Sequence, residues 1–259
     1  MTELLAHLEQ ARKGGRKLLV PYLVGGIPDG ASYPETLKAV AHHADAVEVG
    51  LPFSDPLMDG PVIAAAAERA IAAGVGPLEA LELTKGIETN APRVAMTYYN
   101  PIHRVGEARF CEQVAAAGFS GLIVPDLPFE ESVSLVSAVG DAGLAWIPLV
   151  SPTSTPDRVE TIAASATGFV YAVSTLGVTG TREKLSERAA AVARACKKAT
   201  DLPVLVGIGV STPQQAVEAS VEADGVVIGS AIVSRVLEQG AGEAKAFLGE
   251  VRAALDQNT

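Results

Sequence analysis

The chain has 259 residues, 48% of them hydrophobic and 19% charged, with a mean hydropathy of +0.28, so it carries enough apolar material for a substantial core and is no disordered tail. Lys and Arg total 20 against 30 Asp and Glu, giving a formal net charge of -10 and a sequence pI near 4.9, which argues against a partner such as a nucleic-acid backbone. Cys111 and Cys196 form neither a disulfide framework nor a zinc pattern, and no run approaches the roughly 18 uninterrupted apolar residues of a membrane span. Leu4, Leu5 and Leu8, set among Glu3 and Glu9, read as an N-terminal helix rather than a signal peptide, and a cytoplasmic protein with reduced thiols is expected.

Short runs rich in Val, Ile and Leu then recur, each followed by an Ala-rich amphipathic stretch, the alternation of parallel α/β architecture. Strands are predicted to begin at Leu18 (LLVPYLV), Ala46 (AVEVG), Val94 (VAMTYY), Leu122 (LIVPD), Ala145 (AWIPLV), Phe169 (FVYAVS), Val204 (VLVGIG) and Gly225 (GVVIG). Helices are predicted over 33–44, 62–73, 107–117, 130–142, 157–166, 183–199 and 213–219, and from 231 onward, with Ser32, Thr155 and Ser211 as candidate caps. About eight βα units in some 250 residues match a (β/α)₈ barrel, taken as a single domain over 1–259. An open doubly wound sheet is the rival. Against it, the turn after the first strand reads GGIPDG, without the spacing of a dinucleotide fingerprint.

Barrel enzymes carry their chemistry at the C-terminal ends of strands. In the second strand Ala46, Glu48 and Gly50 alternate with Val47, Val49 and Leu51, which turns Glu48 away from the large aliphatics and into the barrel mouth. A desolvated carboxyl there favours its protonated form and can shuttle a proton, although a Glu held in a buried ion pair fits the pattern equally well. The loop that follows, FSDPLMDGP, holds Asp55 and Asp59. Asp59-Gly60 is common turn chemistry, yet two carboxylates in different surroundings can also divide acid and base roles.

Glycines collect at the ends of the last three strands: Gly177 to Gly180, then Gly207 and Gly209, then Gly229 with Ser230. Barrels often hold phosphate there on backbone amides, and no Lys or Arg lies inside these segments. Tyr22, Tyr98 and Tyr171 fall in predicted strands, where packing and substrate contact are both open. His7, His42, His43 and His103 have no metal spacing, and His42 and His43 are expected to point apart on a helix.

The run EVGLPFSDPLMDGP closely resembles the signature of the tryptophan synthase alpha subunit. The likeness continues, in that family's order, through VPYLVGG, MTYYNP, VPDLPFEE, VSTLGVTG, VGIGVST and IGSAIV, nearly the whole chain. The resemblance implies a (β/α)₈ barrel that cleaves indole-3-glycerol phosphate to indole and glyceraldehyde 3-phosphate. It implies no cofactor in this chain, and a beta subunit carrying pyridoxal phosphate as partner in an alpha2beta2 heterotetramer. By motif, Glu48 and Asp59 match the catalytic carboxylates, and Tyr22, Tyr98 and Tyr171 match positions around the indole. Thr179 matches the threonine of the loop after strand six, and Gly180, Gly209, Gly229 and Ser230 match the phosphate segments. Tyr22 stands where some relatives carry Phe, Ile27 where many have Asp, and Thr175 where some have Arg. A sugar-phosphate isomerase would share the glycine loops without requiring PFSDPLMDGP, and a non-catalytic scaffolding barrel would not require Glu48 and Asp59.

Overall fold

The structure is a computed structural model that describes residues 1–173, 182–207 and 209–258, the side chains of 182–186 excepted. Its strands are β1 Leu18–Val24, β2 Val47–Gly50, β3 Arg93–Met96, β4 Gly121–Ile123, β5 Ala145–Trp146, β6 Leu149–Val150, β7 Val170–Val173, β8 Val204–Gly207 and β9 Gly225–Ile228. All pairings are parallel, in the order β5-β4-β3-β2-β1-β9-β8-β7-β6. The two ends of that order, β5 and β6, are halves of the one strand expected as AWIPLV. Pro148 has no N–H to offer a ladder and interrupts it. Hydrogen bonding nevertheless runs across the break, because Ile147 N–H donates to the Leu122 carbonyl at 3.1 Å and Tyr171 N–H donates to that of Pro148 at 3.0 Å. The sheet therefore closes on itself into the (β/α)₈ barrel.

The helices around it are α1 Glu3–Ala11, α2 Tyr33–Ala41, α3 Pro61–Ala72, α4 Pro77–Thr84, α5 Tyr99–Val105, α6 Glu107–Ala116, α7 Val133–Asp141, α8 Pro156–Ser165, α9 Arg182–Ala199, α10 Pro213–Ser220, α11 Ser230–Gln239 and α12 Ala241–Gln257. Two of them, α4 and α5, interrupt stretches expected to be loop or strand. The start of α4 has a local cause: Glu79 reaches back to accept from the Gly76 N–H at 3.2 Å. The single helix expected from 231 onward is two, divided at Gly240, whose φ of 91° ends α11 while its N–H donates to the Arg235 carbonyl. At α10 the cap is Thr212, not Ser211. His42 lies just beyond α2, and its ring meets that of His43 edge-on at 4.6 Å, so the two do not point apart as expected.

Alternation along the strands divides the apolar residues into layers. Leu18, Val20, Ala46, Val94, Ile123, Phe169, Leu205 and Val227 fill the barrel interior, where Leu4 and Leu8 of α1 join them as a plug. Burying each such leucine is worth roughly 1.5–3 kcal/mol. The alternate residues Leu19, Val47, Val49, Ala95 and Leu122 pack outward with the helices, as do Val170, Val204 and Val206 on the other half. That parity turns Glu48 inward, above the plugged core and toward the open mouth.

Candidate active site

Glu48 sits in the middle of β2 and is 1% exposed. Among the described residues its Oε2 finds no hydrogen-bond partner and no cation pairs with it, so the ion-pair alternative has no counter-charge there. Desolvation, with a smaller contribution from the negative charge of Asp59, pushes its pKa from 4.5 up to about 8. At neutral pH this side chain is mainly a carboxylic acid.

Asp59 comes from the loop between β2 and α3. Turns hold that loop, with Leu57 N–H donating to the Asp55 carbonyl at 2.9 Å and Asp59 N–H to that of Pro56 at 3.1 Å. Gly60 and Pro61 then begin α3. Burial raises the Asp59 pKa to about 6, against the opposing effect of the Tyr98 hydroxyl, which donates to Oδ2 at 3.1 Å. Asp59 is mainly ionised at pH 7. One cavity of about 150 Å³ thus has a protonated and an ionised carboxyl in its walls.

Tyr22 and Tyr171 line the same cavity, each nested on a glycine of the neighbouring strand. A Cβ on Gly50 would collide with the ring and hydroxyl of Tyr22, and one on Gly207 would lie 2.6 Å from the Tyr171 hydroxyl. Tyr98 instead stands behind Asp59. Its ring stacks on Phe53 with centroids 5.3 Å apart, and its hydroxyl accepts from Met58 N–H while donating to the carboxylate. Burial lifts the pKa of all three phenols, which keeps them neutral donors.

Among the expected phosphate segments, Gly229 lines the cavity and Ser230 opens α11, the short additional helix after the last strand. Gly209 follows β8, exposed, and no atom of the described residues lies within 4 Å of where a Cβ would stand. Thr179 and Gly180 lie outside the described residues. Sequence reading did not single out Met58, Ile63, Met96, Ile123, Leu149 and Val227, which make the remaining wall largely apolar. Strand parity carried a signal for Met96, Ile123 and Val227, which share the inward face with Glu48. Among the described residues no cluster of His, Cys, Asp or Glu could hold a metal ion.

A closed (β/α)₈ barrel with a cavity at its mouth, two carboxyls in the wall, has the architecture of a barrel enzyme. The family model for "Tryptophan synthase alpha chain" matches residues 8–256. A tryptophan synthase alpha chain from Synechococcus sp. (strain CC9902) is 44% identical over 256 residues, 96% of this chain and 95% of that one. One from Thermobifida fusca (strain YX) is 44% identical over 243 residues, 92% and 90% of the two chains. Among solved structures, a tryptophan synthase from M. tuberculosis superposes with a TM-score of 0.89 at 36% identity, covering 98% of both chains. The alpha subunit from Legionella pneumophila str. Paris gives 0.90 at 31% identity and 99% coverage of both. The chain belongs to the tryptophan synthase alpha chain family. It is a carbon–carbon lyase that cleaves indole-3-glycerol phosphate.

Proposed function

We propose that Glu48 and Asp59 perform the cleavage between them, within a single barrel domain spanning 1–259. The reaction breaks the bond between indole C3 and the hydroxyl-bearing C3′ of the glycerol chain. Indole C3 must gain a proton to become a leaving group, and the C3′ hydroxyl must lose one as the aldehyde forms. Glu48, protonated at neutral pH, gives its proton to C3; the resulting carboxylate takes the proton from the C3′ hydroxyl. The bonding electrons pass into the ring, indole and glyceraldehyde 3-phosphate separate, and Glu48 is again protonated. Protonation at C3 places positive charge on the ring nitrogen, where ionised Asp59 stabilises it by a charge-assisted hydrogen bond.

The observation that carries this reading is the placement of two carboxyls in one largely apolar cavity, Glu48 with no partner on Oε2 and Asp59 accepting from Tyr98 O–H, surroundings that favour a proton on the first and charge on the second. Tyr22, Tyr98 and Tyr171 are proposed to shape the site, and Gly229, Ser230 and Gly209, with Thr179 and Gly180, to take the phosphate on backbone amides. No single helix among the described residues is long and apolar enough to cross a membrane. The proposed setting is the cytoplasm, in an alpha2beta2 heterotetramer whose beta subunit carries pyridoxal phosphate and consumes the indole. The loop of Asp55 supports that partner, because it presents Leu57 at 89% exposure beside Met58. Indole release from indole-3-glycerol phosphate, measured for this chain with and without a beta subunit, tests the whole reading. Release lost in Glu48→Gln and in Asp59→Asn is the expected result. Normal release in either variant removes that residue from the mechanism.

A further inference from the structure

Tyr22 bridges two regions of the cavity that the proposed function keeps apart. At its base, a Cβ on Gly229 would lie 3.7 Å from the Tyr22 Cβ and 3.8 Å from its Cδ1, so the stem of the side chain rests against the segment assigned to phosphate. At its tip, the hydroxyl covers Gly50 on β2, two residues beyond Glu48 on the same inward face. The register agrees, since Tyr22 is paired directly with Glu48 and Val24 with Gly50. The ring thus runs from the phosphate end to the position just above the proposed proton shuttle. A glycerol chain joining a phosphate to an indole must cover that interval.

Most of the remaining cavity wall is apolar, formed by residues such as Ile63, Met96, Ile123, Leu149 and Val227. Tyr22 is 5% exposed, and no hydrogen bond among the described residues engages its hydroxyl, which lies on the cavity wall. Tyr22 lines the cavity with its O–H uncommitted, so a ligand atom that accepts from it completes a hydrogen bond that the described protein residues leave open. Burial, with the nearby Asp59 and Glu48 carboxyls, holds this phenol in its neutral, donating form.

We propose that the Tyr22 hydroxyl donates to the C3′ hydroxyl oxygen of the substrate and holds that group over Glu48, so that Tyr22 reads the glycerol chain rather than the indole. This rests on the assignment of Glu48 as the group that deprotonates the C3′ hydroxyl. Tyr22 O–H binds the C3′ oxygen, the C3′ O–H points at the carboxylate, and the donor stays in place while the oxygen becomes the aldehyde carbonyl. A substrate lacking that hydroxyl gains nothing from Tyr22 beyond contact with its ring.

The test compares Tyr22→Phe with the unaltered full-length chain on two ligands. These are indole-3-glycerol phosphate and an analogue with a plain propyl chain between indole and phosphate. A lost neutral hydrogen bond corresponds to a fall of roughly threefold to tenfold in kcat/KM for the substrate. The inhibition constant of the analogue should stay within about twofold of its original value, which also reports that the variant is folded. Equal weakening of both ligands would make Tyr22 a packing wall and overturn the proposal, as would no change in either. The comparison is made with Glu48 intact, so its failure leaves the proton-shuttle assignment standing; activity in Glu48→Gln would remove that assignment instead.

Discussion

Glu48→Gln keeps the size of the side chain and removes its ability to exchange a proton. General acid–base catalysis is worth about 10² to 10⁴ in rate, so indole release should fall at least about a hundredfold while substrate affinity survives. The substitution also acts on stability, with a sign that depends on pH. The folded carboxyl titrates near 8, against 4.5 for the ordinary group, so between those values the folded protein holds a proton that the unfolded chain has released. Stability accordingly declines as pH rises through that window, by about 1.4 kcal/mol per unit. The burden is absent below about 4.5, on the order of 3 kcal/mol at pH 7, and complete above about 8. Glutamine does not titrate, but its buried amide costs roughly 1–3 kcal/mol if its N–H groups stay unpartnered. The variant should therefore be less stable than wild type at pH 5 and more stable at pH 8. Urea unfolding across that range, beside the indole assay, measures both effects. A stability difference that does not change with pH, or near-normal indole release, would refute the reasoning. An ion-paired Glu48 would give a variant that loses stability at neutral pH and keeps appreciable activity.

The rate should follow a bell in pH, with kcat/KM rising as Asp59 ionises near 6 and falling as Glu48 loses its proton near 8; Asp59→Asn should lower kcat more than affinity and abolish the acid limb. Tyr98→Phe removes the 3.1 Å hydrogen bond that holds Asp59 toward its ionised form, so the acid limb of the pH–rate profile should move upward by a fraction of a unit; an unmoved limb would show that this bond does not set the charge of Asp59. At Gly209 a Cβ would meet no atom of the described residues within 4 Å, so Gly209→Asp should leave the melting temperature close to wild type and raise KM strongly by repelling phosphate; an unchanged KM would remove Gly209 from the site.

Much of the fold was legible because strand alternation is a strict geometric constraint. The placement of Ala46, Glu48 and Gly50 opposite Val47 and Val49 holds in the structure because a one-residue slip would put a polar carboxyl among the outer helices. Less legible were the elements set by one local hydrogen bond or one backbone angle. The Glu79 side chain starts α4, Gly240 splits the last helix, and Pro148 cuts its strand whereas Pro21 leaves β1 whole, a difference the residue type alone does not announce. The site divides in the same way. Glu48 follows from parity, whereas the sequence could not say whether Asp59 was a turn former or a carboxylate facing the cavity, since Asp-Gly serves both. Tyr98 sits on strand-end sequence that suggested a cavity wall, and the structure sets it behind Asp59 because its ring stacks on Phe53 of the preceding loop.

The two carboxyls differ because their surroundings differ, and each difference has a traceable origin. Glu48 is fixed on a strand deep in the mouth, with apolar neighbours and no donor on Oε2, so loss of its proton is penalised. Asp59 is carried by a loop closer to solvent and receives a hydroxyl hydrogen bond from Tyr98, so its charge is tolerated. Exchanging the surroundings would exchange the proposed roles: a donor given to Glu48 would favour its ionised form and remove the proposed acid, and loss of Tyr98 O–H would weaken the charge that Asp59 is proposed to offer the indole nitrogen. The apolar wall of Met96, Ile123 and Val227 therefore belongs to the acid–base chemistry as much as the carboxyls do, because without it both groups would titrate near 4 and neither could deliver a proton at neutral pH.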